Sequence, residues 1–267
     1  MDWGLLGGLL KLGGAAAVAV SLGAYLLQDK LIFFPQPFTE LEHGAIAARH
    51  PEVADVFLQA ADGTRIHGWH VKPRGDAPLV VYFGGNAENV AWLLDELPLA
   101  DAGIGWLLVD YRGYGASAGA PSERALNADA LIWYDYGAKT TSHIFALGRS
   151  LGSGVAVRLA AERKLDGLIL VAPFDSLAAV GQAHYPYLPV RALLKHRFDS
   201  LALAPKLDVP LLCIVATHDE VIPPSHAKRL FDAWSGPKRI VELAAGHNDI
   251  DHQRDYWPSV RGFIAGR

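Results

Sequence analysis

From Pro78 onward the chain alternates between short apolar runs and helix-compatible stretches. PLVVYFGG, GWLLVDYRGYG, HIFALG, DGLILVAP, PLLCIVATHD and KRIVELAAG read as strands. AENVAWLLDELPLADA, SERALNADALIWYDYGAK, SLGSGVAVRLAAER and SHAKRLFDAW read as the helices between them, Ser122 standing as N-cap of the second, and a further helix closes the chain. Strands that are apolar without alternation are buried on both faces, and strands linked through helices run parallel. The expected fold class is therefore α/β, a mostly parallel central sheet with helices on both faces. Ahead of it, VADVFLQA and RIHGWHVKP flank ADGT, where Asp62-Gly63 predicts a turn and hence an antiparallel hairpin at one sheet edge.

The 267 residues suffice for one such domain, expected over 29–267. Residues 174–209 break the alternation, carry three prolines and show neither a 2.0 nor a 3.6 period. A long irregular segment between a strand end and the next strand start is expected to be a cap over the sheet's carboxyl edge, the alternative being a plain connector. The segment QDKLIFFPQPF is expected to be an arm, because its two prolines stop a helix.

Trp3 to Leu27 is apolar throughout except for Lys11 and Ser21, the length of a bilayer-spanning helix. Lys11 near one end of such a span can snorkel to the interface. An uncleaved anchor within residues 1–28 is expected, against a cleaved signal peptide or an amphipathic helix capping the domain. Asp2 and Lys11 on one side balance Asp29 and Lys30 on the other, so charge does not set an orientation. The net charge of -4 leaves no electrostatic footprint for nucleic acid. The single Cys213 excludes an internal disulfide and a cysteine-rich zinc site.

Gly148-Arg149-Ser150-Leu151-Gly152 lies where an apolar strand gives way to a helix. G-x-S-x-G there matches a nucleophile on a sharp turn, where only small neighbours avoid collision and the helix N-terminus favours developing negative charge. A serine hydroxyl needs a base to take its proton and a third group to orient that base. Asp219 follows the strand PLLCIVAT and His247 follows the last strand, both at carboxyl ends, so Ser150, Asp219 and His247 are the candidate catalytic residues. Asp175 is the rival acid. The oxyanion donors are expected to be the backbone N–H groups of Leu151 and of Asn86, the latter in GGNAEN, where Asn86 could also cap a helix. Ser117 reads as a turn residue, His218 as a neighbour of the acid, His252 as solvated, and His67 and His70 as structural residues on opposite strand faces. His247, Asp249, Asp251 and His252 invite a metal but lack a convincing ligand spacing, so neither metal nor cofactor is expected.

With these residues in place, the chain resembles the α/β-hydrolase superfamily, and within it the Bem46-like branch of membrane-anchored serine hydrolases. The resemblance rests on YFGGNAEN, DYRGYGAS, GRSLGSGVA, APFDSL, YPYLPVRALLKHRFDS, VATHDEVIPPSHAKRL and GHND, and on the apolar leader followed by QDKLIFFPQP. It implies the α/β-hydrolase fold, the triad Ser150, Asp219 and His247, and Leu151 and Asn86 as oxyanion donors. One departure stands out: the family writes His-Gly-Asn where this chain has Gly84-Gly85-Asn86, which bears on the shape of the oxyanion loop. The expected function is hydrolysis of carboxylic esters or thioesters of acyl or lipid type. The alternatives are an aminopeptidase or amidase on the same triad, and a non-catalytic membrane-tethered binding protein. Expected partners are a small-molecule or lipid acyl substrate and, through residues 3–27, a membrane; oligomeric state is left open.

Overall fold

The computed structural model describes residues 19–97 and 103–266. Most of the expected anchor, residues 3–18, lies outside the described residues. Its remainder opens a helix, α1, over residues 19–32, so the expected arm is helical up to residue 32 and extended after it. Among the described residues no helix is long and apolar enough to cross a membrane. Val20, Leu22, Leu26, Leu27 and Leu31 of α1 are nonetheless exposed, while Gln28 is buried against the body of the protein.

Helix α2 (Glu40–Arg49) follows the arm. Apolar spacing does not announce it; its signal is a capping box, in which Thr39 accepts from the Glu42 N–H and Glu42 accepts from the Thr39 N–H. The hairpin is as expected: β1 (Ala54–Gln59) pairs antiparallel with β2 (Arg65–Val71) across the Asp62-Gly63 turn, Gly63 adopting φ +82. Then come β3 (Leu79–Phe83), a short helix α3 (Leu93–Glu96), β4 (Gly105–Asp110), α4 (Glu123–Gly137), β5 (Ile144–Arg149), α5 (Leu151–Glu162) and β6 (Gly167–Val171). Ser122 caps α4 by accepting from the Ala125 N–H. The chain ends through α6 (Leu177–His184), α7 (Val190–Leu193), β7 (Leu211–Ala216), α8 (Pro224–Ala233), β8 (Lys238–Leu243) and α9 (Tyr256–Ala265).

One expected element is cut down. Of the helix expected over 87–102, the described part, 87–97, holds a 3-10 turn, Val90–Trp92, and then the single turn of α3; residues 98–102 lie outside the described residues. Leu97 leaves the helical region at ψ 120 because it precedes Pro98, whose ring disfavours a helical predecessor. Conversely, residues 174–209 contain α6, capped by Ser176, where the sequence shows no period.

The eight strands form one sheet in the order β1-β2-β4-β3-β5-β6-β7-β8, antiparallel only at β1-β2 and β2-β4. Continuous apolar strands serve two cores by turns. Leu79, Val81 and Phe83 of β3 face a core shared with α4, α5 and α8, while Val80 and Tyr82 face a second core with α3 and α9. Leu211, Cys213 and Val215 of β7 alternate in the same way with Leu212, Ile214 and Ala216. Burial pushes the Cys213 thiol up to about 12, so it behaves as a small apolar residue.

His67 and His70 do point to opposite faces of β2. His70 is buried against α4, its Nδ1 3.1 Å from the Tyr136 hydroxyl and its Nε2 without a partner. Burial, helped by Lys72, lowers its pKa from 6.5 to about 4. The folded value lies below the unfolded one, so neutral His70 stabilises above pH 6.5, and that contribution is lost as pH falls from 6.5 towards 4. Over this window the wild type is expected to lose melting temperature faster than His70→Gln, by on the order of several degrees in calorimetry. Parallel curves would count against this role for His70.

Candidate active site

Ser150 sits between β5 and α5 with φ 51 and ψ -116, a conformation disfavoured for any side-chain-bearing residue. Its N–H is held by the Val171 carbonyl at 2.9 Å, which locks the turn to the end of β6. The two flanking glycines have separate reasons. A Cβ on Gly148 would overlap the Gly152 carbonyl, and a Cβ on Gly152 would overlap the Phe83 carbonyl of β3. The spacing G-x-S-x-G thus records three backbone segments in contact.

Two other strand ends deliver the remaining groups. Asp219 follows β7; its Oδ1 accepts from the N–H groups of Val221 (2.9 Å) and Ile222 (2.7 Å). Its Oδ2 lies 2.6 Å from His247 Nδ1, beyond β8. His247 Nε2 lies 2.9 Å from Ser150 Oγ. Side chains 97 and 28 residues apart are thereby joined hydroxyl to imidazole to carboxylate. With the aspartate accepting at Nδ1, the neutral imidazole keeps its Nε2 lone pair on the serine side.

The rival residues are engaged elsewhere. Asp175 accepts from His226 Nδ1 at 2.7 Å and from Arg229 Nε at 2.7 Å. Burial alone would raise its carboxyl, but these two partners hold it below the usual range. The Ser117 hydroxyl donates to the Asp110 carbonyl and accepts from the His67 N–H. His218 and His252 are exposed.

Leu151 opens α5, where the first N–H groups of a helix lack carbonyl partners within it. Asn86 follows Gly84-Gly85 at the end of β3, but the alternative of an N-cap does not hold: Asn89 caps the 3-10 turn by accepting from the Ala91 N–H. The Asn86 side chain instead reaches the arm after α1. It donates to the Ile32 carbonyl and accepts from the Phe34 N–H (3.0 Å) and the Tyr114 hydroxyl (2.7 Å). Two residues with no role in the sequence pattern, Glu88 and Arg149, form an ion pair at 2.9 Å beside this loop. Their signal was a carboxylate and a guanidinium in otherwise apolar or small-residue surroundings.

Among the described residues, His43, Asp55 and His67 could offer ligand atoms to one metal ion, all within 4.8 Å of one another. They sit on α2 and the edge hairpin. His67 Nε2 lies 2.9 Å from Asp55 and its Nδ1 2.6 Å from Asp110, so its ring nitrogens already have carboxylate partners. The His247 to His252 segment forms no such group.

The family described as Serine aminopeptidase, S33, matches residues 78–201, a span that includes Ser150 and Asn86 but ends before Asp219 and His247. An uncharacterized protein of Mycobacterium tuberculosis is 37% identical over 231 residues, 83% of this chain and 81% of that one. An uncharacterized membrane protein of Saccharomyces cerevisiae is 30% identical, over 78% of each chain. The lysophosphatidylserine lipase ABHD12 of Danio rerio is 31% identical over 69% of this chain and 59% of its own length. Among solved structures, an acetyl xylan esterase from Paenibacillus superposes with a TM-score of 0.68 at 20% identity, covering 90% of this chain and 99% of that one.

Proposed function

Because the chain belongs to the α/β-hydrolase superfamily, on the branch that holds these relatives, we propose that it is a serine hydrolase cleaving acyl or lipid-type carboxylic esters or thioesters. The observation that carries this reading is the unbroken contact from Ser150 Oγ through His247 to Asp219. Ser150 Oγ attacks the carbonyl carbon as His247 Nε2 takes its proton, and Asp219 steadies the imidazolium that forms. The negative oxygen of the tetrahedral intermediate is received by the N–H groups of Leu151 and Asn86. Collapse expels the alcohol or thiol, which takes the proton from His247. Water then repeats the sequence on the acyl-enzyme, with His247 again as base.

The lipid part of the proposal is supported by the printed name of the Danio rerio relative and by the exposed apolar side chains of α1. An apolar groove of ≈ 610 Å³ between α1 and α7, lined by Leu22, Tyr25, Leu188 and Leu193 among others, adds to it. We place residues 3–27 as a membrane tether, a reading favoured by the name of the Saccharomyces cerevisiae relative. Residues 174–209, with α6 and α7, serve as the cap.

A second reading, an aminopeptidase or amidase on the same three side chains, is favoured by the description of the matching family. Rates on a panel of p-nitrophenyl esters, acyl thioesters and aminoacyl-nitroanilides separate the two. The expected result is turnover of esters or thioesters, with fluorophosphonate labelling of the wild type and none of Ser150→Ala. Faster turnover of the nitroanilides would replace the ester reading. No turnover of any substrate, with no labelling, would leave a tethered binding protein.

A further inference from the structure

The chain lacks the family's histidine before Gly85, and the structure fills that space from elsewhere. A Cβ on Gly84 would press on Val90 Cγ1 at 2.8 Å and on Glu88 Cδ at 3.2 Å, and a Cβ on Gly85 would meet Glu88 Oε2 at 3.0 Å. The Glu88 side chain is folded back under the loop it belongs to and is almost fully buried. Its carboxylate accepts from four donors: the Tyr82 hydroxyl, the Gly85 N–H, Trp92 Nε1 at 3.0 Å and Arg149 Nη1 at 2.9 Å. Arg149 Nη2 then donates to the His247 carbonyl at 3.3 Å.

A buried carboxylate with four donors and a largely buried guanidinium balance each other's charge, although Arg149 Nε has no partner, and neither can be removed alone without stranding a charge. Two phenols lie near the Glu88 carboxylate. Burial, reinforced by that negative charge, holds the phenols of Tyr82 and Tyr111 well above their usual pKa, so both stay protonated. Tyr82 donates to Glu88, and Tyr111 donates to the Gly84 carbonyl at 2.9 Å.

What the pair touches gives it a role. Gly85 adjoins Asn86, Arg149 adjoins Ser150, and the third contact is to the backbone of His247 itself. Three loops from the ends of β3, β5 and β8 meet on one ion pair, each within one residue of a group the reaction uses. We propose that Glu88 and Arg149 are positioning residues that fix the oxyanion loop, the nucleophile turn and the histidine loop relative to one another. Glu88, together with Val90, takes over the space a side chain at position 84 would occupy. This inference rests on the serine-hydrolase reading above.

The test compares wild type, Glu88→Gln, Arg149→Met and the double variant, each purified full-length and assayed on a p-nitrophenyl ester well below its melting temperature. Rates are expressed per fluorophosphonate-titrated site, so that loss of folded protein does not count as loss of rate. Either single variant is expected to lose about 10- to 100-fold in kcat with KM within about threefold, because misplaced groups cost rate more than ground-state binding. The double variant, which strands no charge, is expected to be no slower than the slower single variant, a coupling that independent structural damage would not produce. Single variants with kcat within about threefold of wild type, or single losses that multiply in the double variant, would overturn the positioning role. Failure of the hydrolase reading shows separately, as a wild type that neither turns over ester nor takes up the probe.

Discussion

Ser150→Ala is expected to lower kcat on a p-nitrophenyl ester by about 10⁵- to 10⁶-fold while leaving the melting temperature close to that of the wild type. On the proposed mechanism, the rate loss follows from removing the atom that forms the acyl bond; what remains is water attack helped by the oxyanion donors. The small stability effect follows from local geometry. The Ser150 side chain makes no cap bond to α5, so alanine forfeits only the contact with His247 Nε2. The backbone at φ 51 is as costly for alanine as for serine, so no strain is gained or relieved. Steady-state kinetics and a thermal melt on the same preparation check both halves. A variant retaining more than about a tenth of the wild-type kcat would remove Ser150 from the reaction.

Asp219→Asn is expected to cost about 10⁴-fold in kcat, again with the fold intact. Its Oδ1 accepts two backbone N–H groups, and an asparagine oxygen can keep both. The amide nitrogen then faces His247 Nδ1, where a carboxylate oxygen stood at 2.6 Å. A donor in that place makes Nδ1 the acceptor and puts the ring proton on Nε2, facing Ser150 Oγ. The histidine then holds a proton where it should receive one. The lost rate should return partly at high pH, where hydroxide can replace the missing base, and a kcat profile from pH 6 to 10 would show it. A loss of less than about tenfold would mean that another carboxylate supports the imidazole.

The sheet was legible from the sequence because burial on both faces leaves strands such as LVVYF and LLCIVA no polar positions. The three candidate catalytic side chains were legible for a related reason. Each follows a strand whose end is marked by the loss of the apolar run, and the carboxyl ends of parallel strands share one rim. Contacts formed by residues distant in the chain were not legible. Glu88 and Arg149 are separated by 61 positions, and neither carries a local sign of the other. The clasp of Asn86 by Ile32 and Phe34 spans more than fifty residues and likewise leaves no spacing signal. Helix α2 shows the converse failure. Its capping box was present in Thr39 and Glu42, but with one buried apolar residue, Ile46, it offers almost no face to detect.

The grip of the N-terminal arm on Asn86 has a practical corollary. A shortened protein beginning after residue 34 would lose the Ile32 and Phe34 partners of that amide and leave it only Tyr114 and the adjacent Ala87 N–H. Slow catalysis by such a sample would then report surgery on the loop beside Ser150, and would say little about how fast the intact protein works.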